Sequence, residues 1–111
     1  MIKNLTLIFC IFALFVEVQA QSATATLSGT IVDEQNAVVS GATVTITDLA
    51  KAFERTATTG SDGNFIFTQL VPSNYTVKVS QSGFAETRAE NVILNVNDQS
   101  NLRIQLKVAT A

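Results

Sequence analysis

From Thr26 onward, apolar and polar residues alternate with the period of two that a half-buried strand requires. Leu27, Gly29 and Ile31 fall on one face of a first strand, with Thr26, Ser28 and Thr30 on the other. Ala42, Val44 and Ile46 alternate with Thr43, Thr45 and Thr47 in a second. A third, weaker strand is expected from Phe53 to Thr58, and a short fourth where Phe65 and Phe67 bracket Ile66. Tyr75, Val77 and Val79 mark the fifth strand, Val92, Leu94 and Val96 the sixth, and Leu102, Ile104, Leu106 and Val108 the seventh. Turn-forming residues fall between these runs: Asp33 to Asn36, Ser40-Gly41, Gly60 to Asn64, Pro72 to Asn74, Ser82-Gly83 and Asn97 to Asn101. Helical periodicity is weak throughout this stretch; Leu49 to Glu54 has room for one turn at most. Seven short strands in so little chain predict an all-β domain, two antiparallel sheets packed face to face as a β-sandwich.

The first twenty residues follow another pattern. Lys3 and the amino terminus precede Leu5 to Val16, an apolar run broken only by Thr6 and Cys10. Glu17 ends the run, and Val18-Gln19-Ala20 puts small residues at the two positions a signal peptidase reads. This three-part order predicts a secretory signal peptide over 1–20, cut between Ala20 and Gln21. A membrane-spanning helix needs about 20 apolar residues, more than this run supplies. The expected organisation is therefore a signal peptide at 1–20, a spacer at 21–24, the sandwich at 25–108 and a tail at 109–111. Cleavage would remove Cys10, so the exported domain would rely on packing, without disulfides. The expected location is periplasmic, outer-membrane associated or secreted, with no stable transmembrane segment in the mature chain.

Charge and residue types narrow the chemistry. Only 14% of the 111 residues are charged, and the net charge of -2 opposes binding to the phosphates of nucleic acid. The chain has no histidine, which removes the usual general base near neutral pH and the commonest metal ligand. Zinc chemistry has no ordinary ligand set once Cys10 is gone. Asp33, Glu34 and Asp62 would form a carboxylate cluster for Ca²⁺ only if their turns met in space; solvated turn residues are the simpler expectation. No catalytic, cofactor-binding or metal-binding residue is assigned, and the expectation is a non-enzyme.

Taken in order, the motifs resemble a known family. Ser28-Gly29-Thr30-Ile31-Val32-Asp33 and Val39-Ser40-Gly41-Ala42-Thr43-Val44 open the domain. Thr58-Thr59-Gly60-Ser61-Asp62-Gly63-Asn64-Phe65-Ile66-Phe67 follows, then Leu70-Val71-Pro72-Ser73-Asn74-Tyr75-Thr76-Val77 and Ser82-Gly83-Phe84. This set resembles the carboxypeptidase regulatory-like domain, a prealbumin-like (transthyretin-like) sandwich of carbohydrate-binding-like fold. The resemblance implies that Gly41 and Gly63 serve tight turns and that Phe65, Phe67 and Tyr75 fill the space between the sheets. It also implies that the tyrosine hydroxyl reaches a polar rim. Asn36 stands where the family usually has a turn glycine, and Ser73 stands likewise after Pro72, so that either the turn shifts or Asn74 takes its place. Hydroxyisourate hydrolases share the fold but use histidines, which this chain lacks. Collagen-adhesin repeats are similar too, but their cross-linking lysine has no counterpart in residues 25–32.

Three functions fit. A signal peptide followed by this domain resembles the N-terminus of TonB-dependent outer-membrane receptors, where it precedes a plug and a barrel. A secreted module recognising a glycan is an alternative, and Phe53 is its only candidate aromatic platform. The third is a structural spacer or adhesion-type domain that pairs an open edge strand with a neighbour. The partner is then an unknown protein or glycan.

Overall fold

The computed structural model describes residues 23–110, so the signal segment and the Ala20–Gln21 junction lie outside the described residues. The strands are β1 (Ala25–Val32), β2 (Thr43–Asp48), β3 (Phe53–Thr58), β4 (Asn64–Leu70), β5 (Ser73–Ser80), β6 (Thr87–Leu94) and β7 (Gln99–Gln105). A three-stranded sheet in the order β4-β1-β7 packs on a four-stranded sheet in the order β3-β2-β5-β6. The pairings are antiparallel except that β1 runs parallel to β7, from Thr26 opposite Gln99 to Val32 opposite Gln105.

The inward residues are those the alternation selects. Leu27, Ile31, Val44, Ile46, Phe67, Leu70, Val77, Val79 and Leu106 are each at most 1% exposed and form one continuous core between the sheets. Gly29 belongs to this face for a reason beyond patterning. A Cβ there would stand 2.5 Å from both the Phe65 ring and the Leu102 carbonyl oxygen. Phe65, paired opposite Gly29, lies over the bare backbone and fills the missing side chain's place.

Two strands depart from simple alternation. In β4, Leu27 pairs with Phe67 while Ala25 pairs with Leu70, so β4 holds one extra residue. In β6, Val77 pairs with Ala89 while Tyr75 pairs with Val92, again with one extra residue. Each bulge contains a residue with positive φ, Gln69 at 55° and Asn91 at 57°. The bulge in β6 lets Ala89, Val92 and Leu94 all turn toward the core across an odd spacing. The sixth strand accordingly starts at Thr87, earlier than Val92, and ends before Val96, which is exposed in the following loop. The seventh ends at Gln105, although Leu106 is still buried and Val108 bridges Phe84.

The turns confirm the glycine assignments at Gly41 and Gly63, both with φ of 74°, and Asn36 takes the left-handed conformation at 64°. Of the two alternatives for the turn around Pro72, the structure shows the shifted turn. Neither Ser73 nor Asn74 has positive φ; the left-handed residue is Gln69, ahead of the proline. Ser73 instead begins β5, and its hydroxyl donates to the buried Asp48 carboxylate.

Candidate functional site

The polar halves of the strands make two outer faces. On the three-stranded sheet, Thr30 Oγ1 donates to Asn64 Oδ1 at 2.7 Å and Asn101 Nδ2 donates to Ser28 Oγ at 3.1 Å. Asn64 also donates from Nδ2 to Asp62 at 3.0 Å. These groups border a shallow depression of about 480 Å³ that also takes in the exposed Ile66. On the four-stranded sheet, Thr47, Thr76, Lys78, Arg88 and Glu90 surround Leu49 in a depression of about 210 Å³. Leu49 projects from a short 3₁₀ turn and is 86% exposed. Lys78 stands directly opposite Arg88, a like-charged pair, and Arg88 is drawn aside to Glu86 at 3.2 Å. The first surface offers hydroxyls and amides and the second hydroxyls and charged groups, each beside one exposed aliphatic side chain.

The candidates named from sequence sort clearly. Asp33 accepts the backbone N–H groups of Gln35 and Ala37, each at 2.9 Å, so it shapes its own turn. Asp62 does the same for Asn64 at 3.0 Å. Asp33, Glu34 and Asp62 do not come together, and among the described residues no three His, Cys, Asp or Glu side chains form a group suited to a metal ion. The aromatic platform is corrected as well. Phe53 packs edge-on against Tyr75, with centroids 6.2 Å apart and planes at 68°, as part of the core's flank. An aromatic at the start of an edge strand is read as free from sequence, but here β3 folds it under the sandwich end.

Tyr75 joins core and rim. It is 2% exposed, and its hydroxyl donates to the Val71 carbonyl at 2.5 Å, tying the Pro72 turn to β5. Burial, assisted by the nearby Asp48 carboxylate and opposed by Arg55, raises its pKa above the ordinary tyrosine value. Sequence reasoning missed Thr59, which is buried at the exit of β3. Its hydroxyl donates to Val39 O at 2.8 Å and accepts from Ala42 N at 2.9 Å, closing the loop between β1 and β2. The Thr58-Thr59-Gly60 run was the available signal. Sequence reasoning also missed Arg55, whose guanidinium lies 5.6 Å from the Phe67 centroid and donates to Thr68 O at 2.7 Å. That side chain closes the gap between the sheets from β3 to β4.

Two sheets of three and four strands, with β1 parallel to β7 and the core aromatics on β4 and β5, define a prealbumin-like β-sandwich domain. The chain belongs to the carboxypeptidase regulatory-like domain family, whose model matches residues 26–107. No curated protein matches the chain in sequence. Solved structures do share its fold. The Bacillus anthracis TIE protein aligns at 18% identity and TM-score 0.63, over 78% of this chain and 17% of that one. A protein proposed to bind carbohydrate, from Bacteroides uniformis ATCC 8492, aligns at 15% identity and TM-score 0.62, over 75% of this chain and 41% of that one. Hydroxyquinol 1,2-dioxygenase from Pseudomonas putida DLL-E4 aligns at 9% identity and TM-score 0.65, over 81% of this chain and 58% of that one. At these identities the likeness is one of fold. The chain spans less than two thirds of the length of each of these structures.

Proposed function

We propose that this chain is a non-catalytic, exported interaction module and that it serves as the N-terminal periplasmic domain of a TonB-dependent outer-membrane receptor. The observation that carries the reading is the order of parts. The apolar run Leu5 to Val16, then Glu17 and Val18-Gln19-Ala20, is followed within a few residues by β1 of a carboxypeptidase regulatory-like domain. The strand directions suit such a role. Because β7 runs parallel to β1, the chain enters at one end of the three-stranded sheet and leaves at the other. The sandwich is then an in-line unit between whatever precedes it and whatever follows. Residue chemistry agrees: the chain has no histidine, and the outer faces carry Thr, Ser and Asn with a few charged side chains, groups suited to making contacts. A glycan-binding role is less well supported, since Phe53 is packed against Tyr75 and offers no stacking platform.

The test is to express the gene in a Gram-negative host, fractionate the cells, sequence the N-terminus of the product and read the coding sequence downstream of Ala111. An envelope fraction whose chain begins at Gln21, with plug and barrel segments encoded downstream, is the expected result. A cytoplasmic product that retains Met1 would overturn the export reading. An envelope product with no plug or barrel downstream would leave an exported module and remove the receptor.

A further inference from the structure

Each sheet has two edges, and three of the four are obstructed. On β4, Gly63 O accepts from Ile31 N, so the odd residues face β1 and Asn64, Ile66 and Thr68 point outward. Thr68 O is taken by Arg55, and Asn64 has both backbone groups occupied, N–H by Asp62 and C=O by Gly60. The β6 edge carries the Asn91 bulge beside exposed Arg88 and Glu90. The β3 edge is short, carries Glu54, and adjoins the seam that Arg55 closes.

The β7 edge differs. Thr26 N donates to Asp98 O and Leu106 N donates to Val32 O, so the even residues from 98 to 106 face β1. Gln99, Asn101, Arg103 and Gln105 therefore turn their backbone N–H and C=O groups outward, and all four are exposed. Arg103 is the only charge in the strand, and no bulge interrupts its seven-residue pairing with β1. Such an edge is a template for another strand.

We propose that β7 pairs with β7 of a second copy of this chain, antiparallel and centred on Leu102, joining two three-stranded sheets into one. Geometry selects the register. Only this centring places all four outward residues opposite outward residues, so that every pair can exchange both backbone hydrogen bonds. It sets Gln99 opposite the partner's Gln105 and Asn101 opposite the partner's Arg103, so no like charges meet. It also brings the two half-buried Leu102 side chains together at the rim of both cores. A seven-residue edge buries less than the ~1,000 Å² of a stable interface, so the association is of the weak, concentration-dependent class.

Sedimentation equilibrium over a wide concentration range, on the protein as its host exports and processes it, tests this. The wild type is expected to shift reversibly from monomer to dimer. Arg103→Pro removes an outward N–H without touching the ladder to β1, and is expected to remain monomeric with an unchanged circular dichroism spectrum. Asn101→Glu, facing the partner's Arg103, is expected to tighten the dimer roughly three- to tenfold, and Asn101→Arg to weaken it by a similar factor. A wild type that stays monomeric throughout would overturn the proposal. So would a dimer unaffected by Arg103→Pro, or Asn101 variants that shift in the wrong directions, even if the proline variant misfolds.

Discussion

Tyr75 shows how one side chain can report on the whole interior. Its ring lies in the core, its hydroxyl holds the Val71 carbonyl, and Asp48 lies close enough to disfavour a second negative charge. These influences raise the folded-state pKa above the unfolded value of about 10. The fold therefore favours the neutral phenol. This contribution to stability is fully present below about pH 10 and is lost as the pH rises through the raised folded pKa. Tyr75 is the only tyrosine and tryptophan is absent, so phenolate absorbance titrates this group without interference. The native protein should form phenolate at a higher pH than the urea-unfolded chain, and a Tyr75→Phe variant should lose stability less steeply in that alkaline range. Coincident native and unfolded titration curves would show that the hydroxyl is not held as described.

At the level of strands, the bulges are where local sequence and fold meet. Asn91 sits at φ 57° so that β6 can present Ala89, Val92 and Leu94 to the core despite their uneven spacing. Asn91→Gly should leave stability unchanged or slightly higher, because glycine adopts this conformation without strain. Asn91→Val should cost roughly 1–2 kcal/mol, because a β-branched residue resists it. Urea denaturation of the two variants checks the contrast, and equal losses would mean that the side chain rather than the backbone matters there. The same bulges explain which strands were legible in the sequence. Period-two alternation identified β1, β2, β5 and the core end of β7, where patterning and burial agree except at Val32 and Thr45, which are buried on the outward parity. It placed β6 late because Thr87-Arg88-Ala89-Glu90-Asn91 carries charges and an extra residue on an exposed edge. The turn glycines were readable because Gly41 and Gly63 require positive φ. The pairing of Phe65 with Gly29 and the closure by Arg55 were not readable, because they join residues distant in sequence across strands and sheets. The contact surfaces were legible only as composition: Thr and Asn on outward positions reveal a polar face but not which side chains meet on it.

For the molecule as a whole, chain order works against independent halves. β1 lies in one sheet and β2 and β3 in the other, β4 returns to the first, β5 and β6 to the second, and β7 again to the first. Each sheet is thus assembled from separated pieces of chain, and both share one core. Neither sheet keeps a buried face once the other leaves, so unfolding should be a single cooperative transition. Electrostatics contributes little to it. Among the described residues the one ion pair, Arg88 to Glu86, has both side chains about half exposed, and such pairs are worth little and are screened by salt. The measurement is thermal unfolding of the protein at low and high sodium chloride, followed by far-ultraviolet circular dichroism for the strands and by Tyr75 fluorescence for the core. The two probes should give the same midpoint, and that midpoint should move by less than about 4–8 °C between salt conditions, the shift that about 1 kcal/mol produces at this size, since an exposed ion pair contributes less than that. Separate midpoints would mean that one sheet persists without the other, against the continuous packing of Leu27, Ile46, Phe67 and Val77. A large drop with salt would mean that the scattered strand charges, among them Lys78, Arg88, Glu90 and Arg103, stabilise the fold far more than one exposed ion pair does.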